Sequence, residues 1–139
     1  MGPDDDLIER ALVYSIVGAF YDVYNYYGYG LLEGVYVAAL HQELLDRGHR
    51  VEREKSLPIL YKERRVGWHR ADMIVDGKVL VEGKATAALP PYAQRQILSY
   101  LNATLIEVGL ILHFGPEPQY YRYIETLRRR RRGPYKQRS

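Results

Sequence analysis

Sixteen residues near the middle of the chain constrain its fold more than any other stretch. His69 to Val75 and Val79 to Lys84 are short apolar-rich runs separated by Asp76-Gly77-Lys78. Strand-length apolar runs joined by an Asp-Gly turn predict a β-hairpin. Asp72, Glu82 and Lys84 lie inside those runs, and charged groups are costly to bury unless paired or bound to a metal. A two-residue turn at 76–77 would pair Asp72 with Val81 and send Glu82 to the other face. A three-residue loop over 76–78 places Asp72 directly opposite Glu82, with Lys84 on the face of Glu82 because side chains alternate with period two. Gly77 can supply the positive φ such a loop needs near its end, and the three-residue loop is expected because of what it brings together. It gathers three charged groups, with facing Cβ atoms about 5 Å apart.

The flanking segments complete an α/β (α+β) pattern. Asp4 to Asp6 precede a helical stripe of Leu7, Ala11, Tyr14, Val17/Gly18 and Tyr21, which predicts a capped helix ending near Tyr26. Gly28-Tyr29-Gly30 interrupts it. A second helix is expected over about Leu31 to Arg47, with Leu32, Val35/Tyr36, Ala39/Leu40 and Leu44 inward and Gly48 as its stop. Val51 to Tyr61 is extended, with Pro58 at an edge or bend. Pro90-Pro91 opens a third helix, about Pro91 to Thr104, with Gln94, Ile97/Leu98 and Leu101 at helical spacing. Val108 to Phe114 is a continuous apolar run of strand length, and Gln119 to Thr126 alternates like an edge strand. The order is ααβββαββ, a sheet flanked by helices.

Composition narrows the function classes. The absence of Cys removes disulfides, thiolate zinc sites, iron–sulfur clusters and a cysteine nucleophile. No run approaches the ~18 apolar residues of a membrane span, and the start, Met1-Gly2-Pro3-Asp4-Asp5-Asp6, is acidic where a secretory signal is basic. A cytoplasmic protein without membrane contact is expected. The net charge of +3 is unevenly spread: residues 119–139 hold eight Lys/Arg against one acid, and residues 1–118 are net acidic. Arg128, Arg129, Arg130, Arg131, Arg132, Lys136 and Arg138 therefore form a basic tail, 127–139, behind a domain over 1–126. Such a run cannot pack into a core. It suits phosphate contact, since each phosphate neutralised releases counterions and arginine binds phosphate bidentately. Of 14 Tyr, six fall at 21, 24, 26, 27, 29 and 36. Rings that carry a hydroxyl favour half-wet surfaces, and this 21–36 cluster points to homo-oligomer contact.

Asp72 and Glu82 are hard oxygen ligands suited to Mg²⁺, which prefers one or two carboxylates plus waters and substrate phosphate. Lys84 beside them can orient an attacking water or stabilise charge on a phosphate. The competing account is a cross-strand ion pair on a wet sheet face. Glu33 falls in the first turn of the second helix, where a carboxylate can interact with the helix dipole or reach a metal through water. Gln96 and Tyr100 share a helix face at i and i+4. His41, His49, His69 and His113 lack metal-pair spacing and are expected to be structural. Ser15, Ser56 and Ser99 lie in no nucleophile elbow, and Gly28 and Gly30 form no phosphate-loop fingerprint.

Gly30-x-x-Glu33-x-x-Tyr36 resembles the signature of the GxxExxY family, small bacterial and archaeal proteins of the PD-(D/E)xK nuclease superfamily. The resemblance runs from about Leu7 to Thr126. Arg70-Ala71-Asp72 looks like the motif of the first metal-binding aspartate, and Val81-Glu82-Gly83-Lys84 looks like the E-x-K motif. Gln96-Ile97-Leu98-Ser99-Tyr100 is similar to the Q-x-x-x-Y helix of RecB-like nucleases. Gly109 to Gly115 resembles the following core strand, where the family more often has Asn at the place of His113. The resemblance implies a restriction-endonuclease-like core with a central mixed sheet. It implies Mg²⁺ or Mn²⁺ held by Asp72, Glu82 and the Gly83 carbonyl, Lys84 acting on the attacking water, and Glu33 supporting the metal or its water. Gln96 and Tyr100 would orient the E-x-K segment or the nucleic-acid backbone. The expected function is a metal-dependent nuclease acting on DNA, with RNA the alternative substrate. The rival, from another class, is a nucleic-acid-binding, self-assembling structural protein on a nuclease-like scaffold, favoured by the tyrosines and the arginine tail.

Overall fold

A computed structural model of the chain describes residues 8–128. Helices α1 (Arg10–Tyr27) and α2 (Glu33–Asp46) precede strands β1 (Val51–Tyr61), β2 (Arg64–Val75) and β3 (Val79–Lys84); α3 (Ala93–Asn102), β4 (Val108–Phe114) and β5 (Pro118–Ile124) follow. The strands form one sheet in the order β1-β2-β3-β4-β5, antiparallel except for the β3–β4 pair. A parallel pair needs a crossover, and α3 provides it. The order and the mixed sheet are those expected, an α+β fold consistent with a restriction-endonuclease-like core.

Each face of the sheet has its own apolar layer. Helices α1 and α2 bury Val13, Ile16, Phe20, Tyr36 and Leu40 against Met73, Val81, Leu110 and Phe114. Helix α3 buries Ala93, Ile97, Tyr100 and Leu101 against Leu57, Ala71, Leu80 and Ile111. It lies so close to β4 that a Cβ on Gly109 would sit 2.8 Å from Ile97, nearer than any side chain there could be accommodated.

The helices differ from expectation in phase and length. The buried stripe of α1 is Val13, Ile16, Ala19, Phe20 and Val23, whereas Tyr14 is 82% exposed. A tyrosine in that stripe would drag its hydroxyl into the core, so the pure hydrocarbon face wins. Asp4, Asp5 and Asp6, expected to cap this helix, lie outside the described residues; α1 follows Glu9, which has left-handed φ and makes no side-chain cap bond. In α2, Tyr36, Val37, Leu40 and Leu44 are buried, while Leu32 and Val35 are exposed. Helix α3 begins at Ala93 rather than Pro91, with Gln94 exposed; Pro90 to Ala93 form a turn closed by the Ala93 N–H on the Pro90 carbonyl at 3.0 Å.

Strand β2 begins at Arg64, five residues before the expected start. Lys62 and Glu63 both have positive φ and form a two-residue turn that pairs Tyr61 with Arg64. Backbone pairing with β1 thus draws a charged stretch into the strand while its side chains remain exposed.

At the far end of the hairpin, the loop expected over 76–78 forms. Val75 pairs with Val79, Ile74 with Leu80 and Met73 with Val81. Asp76 and Gly77 have positive φ, and the Lys78 N–H donates to the Val75 carbonyl at 3.0 Å. The Asp76 carboxylate accepts the Arg50 N–H at 2.8 Å and lies 2.8 Å from His49 Nδ1. His49 Nε2 in turn lies 2.7 Å from Ser15 Oγ. Ser15 is inside α1, where the helix consumes the backbone N–H groups an oxyanion would need. The chain of bonds therefore ties α1, the α2–β1 connection and the hairpin turn together. No helix among the described residues is long and apolar enough to cross a membrane.

Candidate active site

The site forms where the β2–β3 ladder stops. Continuing the register past Met73 and Val81 would pair Asp72 with Glu82 and offer the Ala71 carbonyl to the Gly83 N–H. Instead, Asp72 Oδ2 accepts that N–H at 2.7 Å. A side chain has replaced a rung of the ladder, so β2 leaves β3 at this point. Gly83 fits the close approach: a Cβ there would lie 3.0 Å from Val37 and 3.7 Å from Asp72 Oδ2.

Strand alternation also breaks at Asp72. Met73 belongs to the α1/α2 side of the sheet and Ala71 to the α3 side, although residues two apart on a regular strand share a face. Glu54, opposite this point between the paired residues Arg53 and Lys55, has φ +53. Asp72 and His69, three apart and expected on opposite faces, are thereby both brought to Glu82.

Glu82 is 6% exposed. Burial pushes its carboxyl up to about 9, the neighbouring Asp72 charge adds to the rise, and Lys84 opposes it. His69 Nε2 lies 3.0 Å from Glu82 Oε1. Burial lowers His69 to about 4, despite the raising effect of Asp72 and with Lys84 lowering it further. Both directions favour a hydrogen bond between neutral groups over an ion pair at this contact. His69 also stacks on Tyr100, with ring centroids 3.2 Å apart and planes 11° from parallel. Tyr100 is pushed up to about 12 by burial and by the charges of Glu82 and Asp72. Gln96, one turn earlier on α3, is half-buried.

Lys84 pairs with His113 across the parallel ladder, and its Nζ lies 6.0 Å from the Tyr92 ring centroid. Among the described residues its ammonium is in no ion pair, which leaves it available to an incoming group. Glu33 Oε1 accepts the Ala85 N–H at 3.3 Å, just past Lys84. Tyr36, three residues on, fixes the α1–α2 loop: its hydroxyl donates to the Gly28 carbonyl and accepts the Leu31 N–H, and its ring stacks on Phe114. His113 is buried beside the site, with Nε2 2.7 Å from the Thr86 carbonyl, and holds the segment after β3.

A family model described as the PD-(D/E)XK nuclease superfamily matches residues 10–125. The chain belongs to that superfamily. Neither a curated protein nor a solved structure matches it. PD-(D/E)XK nucleases generally use divalent metals, and the donor chemistry here suits one. Two hard-oxygen carboxylates lie together, and one is so poorly solvated that it retains its proton without a cation. Among the described residues no three His, Asp or Glu side chains are grouped to enclose a metal, so a bound ion would draw its remaining ligands from water, backbone or substrate oxygen.

Of the side chains singled out in the sequence, Asp72, Glu82, Tyr100 and Lys84 converge on one end of β3, and Glu33 reaches that end from α2. His69, expected to be structural, lies at the centre. Its spacing from Asp72 gave no signal, because a regular strand would separate the two. Arg128 is exposed, and Arg129, Arg130, Arg131, Arg132, Lys136 and Arg138 lie outside the described residues. The tyrosine cluster divides: Tyr36 is core, Tyr24 bonds the Gly115 and Pro116 carbonyls, and Tyr26, Tyr27 and Tyr29 are exposed.

Proposed function

We propose that this PD-(D/E)XK protein is a metal-dependent nuclease of GxxExxY type that hydrolyses phosphodiester bonds in DNA, with RNA the alternative substrate. One observation carries the reading: Asp72 lies beside the buried Glu82 at the point where the hairpin opens, and burial holds the Glu82 carboxyl near 9. A protein gains nothing in stability from such a carboxyl pair; a cation removes its cost.

In this reading Asp72, Glu82 and the Gly83 carbonyl hold Mg²⁺ or Mn²⁺. A divalent ion there supplies Lewis acidity toward the phosphoryl oxygen and acidifies the attacking water. Lys84 orients that water and stabilises the charge developing on phosphate. Glu33 supports the ligand shell from the end of β3. Tyr100 and His69 keep the Glu82 carboxylate in place, and Gln96 contacts the nucleic-acid backbone. Residues 1–126 form the nuclease domain, and the basic residues from Arg128 to Arg138 supply a sequence-independent grip.

Glu82→Ala and Lys84→Ala are expected to lose cleavage of linear, circular and single-stranded DNA in Mg²⁺ while retaining binding in EDTA. Cleavage by both variants at the wild-type rate would overturn the assignment. The exposed Tyr14, Tyr26, Tyr27 and Tyr29 favour a second reading, a self-assembling nucleic-acid-binding protein. DNA-dependent light scattering without cleavage at any divalent metal would select it.

A further inference from the structure

Past the site, the β1–β2 hairpin continues as an arm that no other strand among the described residues supports. Strand β2 pairs with β3 only from Met73 to Val75, whereas it pairs with β1 from Arg64 to Val75. At about 3.3 Å per residue, the Tyr61–Arg64 tip reaches about 17 Å beyond His69. The arm is rooted in the candidate active site, since His69 and Leu57 pair at its base and face α3.

The composition of this arm suits neither a core nor a bland surface. Over residues 55–70, Lys55, Lys62, Arg64, Arg65 and Arg70 face one acid, Glu63. Lys55 and Arg70 are bonded to Glu52 and Glu54. Lys62, Arg64 and Arg65 are exposed and in no ion pair among the described residues. Trp68 is 56% exposed, as is Tyr61. The Arg65 guanidinium lies 4.7 Å from the indole centroid and Lys62 Nζ 5.3 Å from the Tyr61 ring. An exposed indole costs solvation free energy unless something covers it. Cations interleaved with exposed rings are the chemistry of a single-stranded nucleic-acid platform, in which phosphates meet the cations and bases stack on the rings. A duplex keeps its bases stacked on one another and could use only the cations.

We infer that the β1–β2 arm is a single-strand-binding element that feeds unpaired nucleic acid to the site, with Trp68 and Tyr61 stacking on bases and Lys62, Arg64 and Arg65 on phosphates. This rests on the nuclease reading for its direction, but binding tests it alone. Opposite charge argues for nucleic acid over a second copy of this chain, which would bring another arm of the same sign against it.

The test is fluorescence anisotropy with the full chain, a labelled 20-nucleotide single strand and the matching duplex, in EDTA over a salt series. Trp68→Ala is expected to weaken single-strand binding about five- to tenfold, the loss of one stacked base, and to leave duplex binding unchanged. The triple variant Lys62→Ala/Arg64→Ala/Arg65→Ala is expected to flatten the single-strand salt slope by about 0.7 per cation removed. All substitutions are at exposed positions, and circular dichroism checks the fold. Wild-type affinity and salt slope in both variants overturn the inference, as does a change in gel-filtration oligomer state that accounts for the binding loss. Hydrolysis of bis(4-nitrophenyl) phosphate in Mn²⁺ separates the two claims. Loss of binding in the arm variants with no hydrolysis by wild type keeps the arm and refutes the nuclease; hydrolysis with unaltered binding does the reverse.

Discussion

Two carboxylates on one hairpin, Asp76 at the turn and Glu82 near the opposite end of β3, have been driven in opposite directions by their surroundings. Both are partly removed from water, and in both cases burial pushes the carboxyl up. For Asp76 that push is outweighed by the Arg50 N–H, the His49 hydrogen bond and the charges of both, and its pKa falls below the ordinary 3.8. For Glu82 burial and the Asp72 charge beside it outweigh Lys84 and the Asp72 backbone hydrogen bond, and it rises to about 9. The difference is one of a carboxylate ringed by donors and positive charge against one that is deeply buried beside another carboxylate. A carboxylate that ends its hydrogen bonds within the fold is structural; one that the fold desolvates and crowds is awaiting a positive partner.

The widest separation between the two ends is in activity. Asp72→Asn or Glu82→Gln is expected to lower the Mg²⁺-dependent cleavage rate at least about 10²–10³-fold, and Asp76→Asn to leave it within twofold. A comparable loss from Asp76→Asn in a gel-based cleavage assay would erase the contrast.

Next is the positioning of Glu82. His69→Ala is expected to reduce cleavage about 10–100-fold, as removal of a group that orients a metal ligand does, and to weaken Mn²⁺ binding measured by calorimetry. His69→Gln, which can still bond Glu82, should recover part of both. Unchanged Mn²⁺ affinity in His69→Ala would reduce that residue to a packing role.

Stability should respond in the opposite sense. Without metal, Glu82→Gln removes a carboxyl that the fold resists ionising, and is expected to raise stability at pH 8 by roughly 1–3 kcal/mol. The pH dependence follows from the two directions. The folded pKa of Glu82 is raised, so its contribution is complete below about pH 4.5 and lost as pH rises through about 9. The folded pKa of Asp76 is lowered, so its contribution is present above pH 3.8 and lost as pH falls through its lower folded value. Urea melts in EDTA across that range should lose their alkaline slope in Glu82→Gln and part of their acid slope in Asp76→Asn. The smallest effect belongs to Ser15→Ala, which removes the outer bond to His49. About 0.5–1 kcal/mol is expected, with cleavage unaltered.

How much of this was legible beforehand follows from the range of each interaction. The hairpin register was, because it depends on loop length and a period of two: only a 76–78 loop puts Asp72 across from Glu82, and the observed pairs obey it. Strand β4 was legible as an unbroken apolar run. The buried stripe of α1 is not legible in this way, because tyrosine fits either side of a helix and only the opposing sheet chooses. The arm leaves no such mark, because a run of charges resembles a loop until β1 pairs with it.

The local pattern of the chain thus determined its elements, their order and a hairpin register that brings Asp72 level with Glu82, set by covalent spacing and loop length. Tertiary structure alone decided that Asp72 would take a rung from the ladder, that the strand would bend and bring His69 onto Glu82 and Tyr100, and that burial would hold one carboxyl protonated. Desolvation and strand bending depend on what packs from elsewhere in the chain, and no window of neighbouring residues contains that information.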